Sequence, residues 1–146
     1  MPLSIRETAV RALKSAIEGV AGVTAYRGLD VALGPGDLPA AVLIEGADDA
    51  DTESSFGTVL HTLALDVEVI VDGDASEANL QALEDLRAKI VAAVTGPGSP
   101  SGETVVEAGA AAPDVSPRTG HAPSAAVVQS FIVTYATREG DPYTVS

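Results

Sequence analysis

The sequence predicts an α+β fold: an about five-stranded, mostly antiparallel sheet with two main helices packed on one face, in the order α-β-β-β-α-β-β. Three observations point there. Apolar residues recur at helical spacing in two segments, Ile5–Val20 and Ala75–Thr95. Thr58–Val71 alternates apolar and polar residues with a period of two, and Ala125–Thr137 reads as a last strand in which Val127, Phe131, Val133 and Tyr135 alternate with Val128, Ser130, Ile132 and Thr134, so that both faces could contact something. The 146 residues fit a single domain, 1–146, with no room for a second core.

The first helix is read over Ile5–Val20. Ser4 and Glu7 form a capping box, and Ile5, Ala9, Leu13, Ala16, Ile17 and Val20 make one apolar face with Arg6, Arg11, Lys14 and Glu18 mostly off it. Gly19 and Gly22 stop it. A short strand follows at Val23–Arg27, then a Gly/Pro/Asp loop over Gly28–Pro39 and a buried strand at Ala40–Glu45. Gly46–Gly57, with Asp48, Asp49, Asp51 and Glu53, reads as an exposed acidic loop.

In the long strand Thr58–Val71, Val59, Leu63, Leu65, Val67, Val69 and Val71 form an apolar row interrupted only by His61, while Thr62, Asp66 and Glu68 face the other way. Asp72–Asp74 turns the chain into the second helix, for which Asp74 is the expected N-cap and Glu77 a first-turn carboxylate favoured by the helix dipole. Leu80, Leu83, Leu86, Ile90, Val91 and Val94 make its buried stripe, and Gly96-Pro97-Gly98 ends it. A strand at Thr104–Ala108 precedes an Ala/Pro/Gly stretch, Gly109–Ser124, expected to be a functional or assembly-ordered loop because structureless stretches of that length are uncommon in compact domains. In the last strand Val127, Phe131, Val133 and Tyr135 share one face. Residues 137–146 are expected to be a flexible or assembly-ordered tail.

Composition narrows the function classes. Hydrophobic residues make up 46% of the chain but aromatics only 3%, so small aliphatics do the packing and self-association would add needed burial. The absence of cysteine excludes disulfides, thiolate nucleophiles and Cys-ligated zinc. Met1–Glu7 lacks a signal-peptide pattern, and apolar runs stop short of the ~20 residues a membrane span needs, so a soluble protein is expected. The formal net charge is -13, and from Gly28 to Leu86 there are fourteen Asp or Glu residues and no Lys or Arg. Such a field repels phosphate and argues against reading or wrapping of nucleic acid by that surface.

Catalytic and metal motifs are not found. An EF-hand register started at Asp49 puts Ser54 where the turn needs Gly and Leu60 where the ion needs a bidentate Glu. His61 and His121 lie far apart, and neither has a second His at metal-ligand spacing; His61 is expected to be structural. Gly98-Ser99-Pro100-Ser101-Gly102 has Pro where a serine elbow carries its nucleophile, and the Gly-Pro-Gly turns lack a phosphate-loop continuation. No catalytic residue, metal site or cofactor is expected.

Several segments carry a family resemblance: Ser4-Ile5-Arg6-Glu7 opening a helix that leads to Gly22-Val23-Thr24-Ala25-Tyr26-Arg27, then Leu38-Pro39-Ala40-Ala41-Val42, the acidic segment before a long apolar strand, and above all Phe131-Ile132-Val133-Thr134-Tyr135-Ala136-Thr137-Arg138-Glu139-Gly140-Asp141-Pro142. Over nearly its full length the chain resembles the tail terminator proteins of tailed bacteriophages. The resemblance implies a non-enzymatic subunit closing with copies of itself into a homo-hexameric ring at the head-proximal end of a virion tail, after assembly in the host cytoplasm. It further implies contact with the tail tube protein and with a neck or head-completion protein, and DNA passing through the lumen without specific binding. In that role Asp48, Asp49, Asp51 and Glu53 are expected to line or rim the channel. The Gly109–Ser124 loop, with Arg138, Glu139, Asp141, Pro142 and Tyr143, is expected to make assembly contacts. Another head–tail connector or neck ring subunit, or a small-ligand-binding α+β domain, are the competing readings.

Overall fold

A computed structural model describes residues 3–28, 37–52, 56–73, 76–95, 104–116 and 124–145. Its elements are α1 (Ile5–Glu18), β1 (Thr24–Arg27), β2 (Ala40–Asp51), β3 (Thr58–Asp72), α2 (Glu77–Thr95), β4 (Thr104–Ala110), β5 (Asp114–Ser116), β6 (Ser124–Arg138) and β7 (Asp141–Val145). The fold is α+β, as the periodicities predict, and the main path of the sheet runs β1-β2-β3-β6-β4, with β5 and β7 as short additions along β6. Among the described residues only the β1–β2 pairing is parallel.

Both helices lie on one face because each has a single apolar stripe to bury. Ala9, Val10, Leu13 and Ile17 of α1 and Leu83, Ile90 and Val94 of α2 share one core with Leu63, Leu65, Val67, Val69 and Val71 of β3 and Val127, Phe131, Val133 and Tyr135 of β6. β3 and β6 pair in register along their whole length, from Thr58 opposite Arg138 to Asp72 opposite Ser124, so their inward rows coincide. On the far face a smaller cluster of Ala40, Val42 and Ile70 is flanked by Tyr26, Leu38, Ile44 and Ala126.

Inward position 129 holds a fully buried Gln. Its amide donates to the Gly109 and Ser130 carbonyls at 2.9 and 3.0 Å, and its oxygen accepts from Arg87 at 2.6 Å. Each polar atom thus has a partner, as burial demands.

The helix ends refine the sequence reading. Ser4 Oγ accepts the Glu7 N–H at 3.1 Å, but the reciprocal half of the capping box does not close, because the Glu7 carboxylate is taken by Arg27 and Arg11. α1 ends at Glu18, where the Gly19 N–H donates to the Ser15 carbonyl at 3.2 Å and the Val20 N–H to the Ile17 carbonyl at 2.9 Å. At the start of α2 the Ser76 hydroxyl accepts the Asn79 N–H at 3.3 Å; Asp74 lies outside the described residues.

Three expectations are corrected. The stretch read as an acidic loop is strand through Asp51, paired with β3 as far as Leu60. Its alternation was hidden because the pairing shifts between Glu45 and Asp48: Glu45 faces Leu65 and Asp48 faces Leu63, leaving one extra residue on β2. The long loop expected from Gly109 is shortened, since Gly109 and Ala110 belong to β4 and 114–116 form β5, both hydrogen-bonded to β6; residues 117–123 lie outside the described set. The tail folds back as β7 against β6, over a turn in which Gly140 holds a positive φ of 75° that a side chain would resist.

Candidate functional site

The bulge on β2 creates the most connected polar cluster of the described residues. A side chain's face alternates along a strand, so one extra residue inverts every later position. Glu45 and Asp48 therefore both point to the helix side, whereas Asp49 and Asp51, opposite Thr62 and Leu60, point to the helix-free side. Gly46 makes this possible. A Cβ there would sit 3.1 Å from the Ala64 carbonyl oxygen and 3.3 Å from its Cβ, so a side chain would require the paired strand to give by a few tenths of an ångström.

Turned inward, Asp48 is only 13% exposed at its side chain and gathers three partners. Its Oδ1 lies 3.1 Å from His61 Nδ1. Its Oδ2 accepts from Arg6 at 3.3 Å and from the Tyr135 hydroxyl. His61 and Tyr135 are cross-strand partners on β3 and β6, and their rings stack with centroids 4.5 Å apart and planes 1° from parallel. Because a carboxylate only accepts, His61 Nδ1 carries a hydrogen, and Nε2 shares a hydrogen bond with the Thr137 hydroxyl at 3.0 Å. Burial, and then the bond to Asp48, push the Tyr135 phenol above its usual range, since both disfavour a phenolate.

A second set of ion pairs continues from this one. Arg6 also reaches Glu45 at 3.6 Å. Glu45 pairs with Arg27 at 2.9 Å, and the Arg27 guanidinium forks onto both Glu7 oxygens at 2.7 and 2.9 Å. The Arg27 fork, and after it Arg11, hold the Glu7 carboxyl down to about 2. The same bond to Glu7 raises Arg27, so both partners shift in the sense of a formed pair. The start of α1 is thereby pinned to β1 and β2.

Asp48, His61 and Thr137 stand at the spacing of an orienting acid, a base and a hydroxyl. Thr137 is only 4% exposed overall, and it lines the cavity that adjoins the cluster. The arrangement holds strands and helix together. Beside it lies a cavity of about 220 Å3 lined by Ser4, Arg6, Asp48, His61, Tyr135, Thr137 and Pro142. Among the described residues no group of three or more His, Cys, Asp or Glu is placed to hold a metal ion, and no helix is long and apolar enough to cross a membrane.

The residues singled out from the sequence are separated by the fold. Asp48 is withdrawn into the cluster and does not belong to an exposed acidic set, because the bulge turns it inward and three donors hold it. Asp49 and Asp51 are exposed, and Glu53 and His121 lie outside the described residues. Arg138 and Glu139 are exposed at the end of β6, where the Glu139 N–H donates to the Gly57 carbonyl at 2.9 Å and ties the β6–β7 turn to the β2–β3 hairpin. Asp141 accepts the Thr144 hydroxyl at 2.6 Å and the Tyr143 N–H at 3.0 Å, and these bonds lower its carboxyl. Pro142 lines the cavity and Tyr143 is half exposed beside it. Sequence reading missed Asp48, Tyr135 and Thr137 as partners of His61, and Arg6 as a partner of Asp48. The one available signal was that His61 and Tyr135 both interrupt aliphatic inward rows; the strand register that joins them was not legible.

Compared with known proteins, the chain matches no protein-family model and no curated protein.

Proposed function

We propose that this chain is a structural virion subunit of the tail-terminator kind. It forms a ring with copies of itself on the head-proximal end of a phage tail tube, ends the tube's polymerisation, and offers the exposed side of the ring to a neck or head-completion protein. The single observation that carries this reading is the division of the sheet into a helix-covered face and a helix-free face that bears Asp49, Asp51, Asp66 and Glu68. The sequence has no Lys or Arg between Gly28 and Leu86, although the register puts the exposed Arg138 on that face, opposite Thr58. Turned toward a lumen, the face repels the phosphate backbone and lets DNA slide, since binding a duplex requires cations that displace its counterions. The lumen set therefore becomes Asp49, Asp51, Asp66 and Glu68, with Asp48 serving the cluster behind it. The resembling segment Phe131–Pro142 supports the same reading, because it supplies the middle of the sheet and half of the polar cluster.

Electron microscopy of purified protein mixed with tail tubes tests this. A terminator caps one end of each tube and stops further addition of tube protein. Binding to heads with bare tube ends would assign the chain to the connectors instead, and binding to neither would remove the reading.

A further inference from the structure

The ion pairs around Asp48 balance one another. Asp48, Glu45 and Glu7 are matched by Arg6, Arg27 and Arg11, every pair within 3.6 Å. Tyr135 on β6 stays neutral, because burial and Asp48 push its phenol up. On β3 the inward neighbours Val59 and Leu63 are apolar, and Asp141 on β7 is turned to its own Thr144 and Tyr143. Within this set His61 is the group whose charge can change near neutral pH. Protonating it adds one positive charge that no carboxylate of the network is left to match, on a side chain only 20% exposed.

The cavity beside His61 has room for the missing counter-charge. It measures about 220 Å3, and about 150 Å3 is enough for a benzene ring. The stacked His61 and Tyr135 rings and the Pro142 ring give it an apolar wall that suits an aromatic. Two hydroxyls line it as well. Ser4 Oγ accepts the Glu7 N–H and keeps its own hydrogen to donate. Once His61 carries hydrogens on both nitrogens, Nε2 donates to Thr137 Oγ1, and the Thr137 hydrogen is released for another acceptor. We infer that the cavity binds a small aromatic monocarboxylate together with one proton, which His61 takes up. The ligand ring lies along the aromatic wall, and its carboxylate accepts from Ser4 and Thr137. Anion and proton enter as a pair, so the network remains balanced. Arg6 also lines the cavity, but its charge is already matched by Asp48 and Glu45, so the imidazolium supplies the attraction. The site is complete in one copy and stands apart from ring assembly.

Benzoate is the probe, and benzamide, of the same shape without the charge, is its control. Calorimetry should show benzoate binding at least about tenfold more tightly at about pH 5.5 than at about pH 7.5, and benzamide binding more weakly without this dependence. The chain has two histidines, so NMR can follow both rings. Saturating benzoate should hold His61 protonated to higher pH and leave His121 unmoved. Thr137→Val should lose about tenfold in benzoate affinity at the lower pH, as loss of a hydrogen bond to a charged group does. His61→Gln should lose the pH dependence. The NMR titration uses the unaltered protein and decides the matter even where a variant fails to fold. Absence of benzoate binding, equal affinity at the two pH values, an unmoved His61, or benzamide binding as tightly as benzoate overturns the inference.

Discussion

His61 on β3 and Tyr135 on β6 lie directly opposite each other, stacked ring on ring at 4.5 Å, and each bonds one oxygen of Asp48. Three strands thus meet at a single carboxylate, with Arg6 bringing in the first helix. The protein's behaviour under mutation and pH follows from how these groups are shared.

Asp48→Asn should destabilise the fold by about 1–3 kcal/mol, because a largely buried acceptor that satisfies three donors is replaced by an amide that satisfies fewer. Asp49→Asn, one residue away on the exposed side, should stay within about 0.5 kcal/mol. Urea unfolding of both variants measures the contrast, and equal effects would remove the inward turn of Asp48.

Gly46→Ala should cost about 1–3 kcal/mol, since the new methyl meets the Ala64 carbonyl oxygen at 3.1 Å and the backbone of a paired strand has little freedom to yield. The control is Gly22→Ala, where a Cβ meets nothing within 4 Å but the φ of 84° is strained. A steric origin predicts that hydrogen exchange speeds up along β2 and β3 for Gly46→Ala and only at the α1–β1 turn for the control.

Gln129→Leu should lower stability by about 1–3 kcal/mol despite adding an apolar side chain to a core position. The substitution leaves the Gly109 carbonyl without its donor and Arg87 without its buried acceptor. Thermal unfolding provides the measurement; a stabilised variant would mean that water replaces both partners.

Glu7 sets an acid limit. Its carboxyl sits at about 2 in the folded chain against an ordinary 4.5. A lowered folded value means that the Glu7–Arg27 pair contributes fully above pH 4.5 and that its contribution fades as pH falls from 4.5 toward 2. The urea midpoint should therefore drop across that window, less steeply in Glu7→Gln. Added salt should reduce the difference, because the pair is partly open to solvent.

The local elements were written in the sequence. Helical spacing fixed both helices to within two or three residues of their observed ends, and the period of two fixed the faces of β3 and β6, because both patterns depend only on neighbours along the chain. The expectation of an isolated structural His61 came from the same local logic. What the chain alone did not reveal is which residues meet. Asp48 reaches His61 across 13 residues and Tyr135 across 87, and its direction depends on one extra residue in β2 that only pairing with β3 makes visible. The fate of residues 141–145, a polar tail by composition, was likewise decided by hydrogen bonds offered by the free edge of β6. Periodicity is a one-dimensional property, whereas register is a contact between distant segments, and it was register that placed the cluster, the cavity and the exposed aromatic at one end of the sheet.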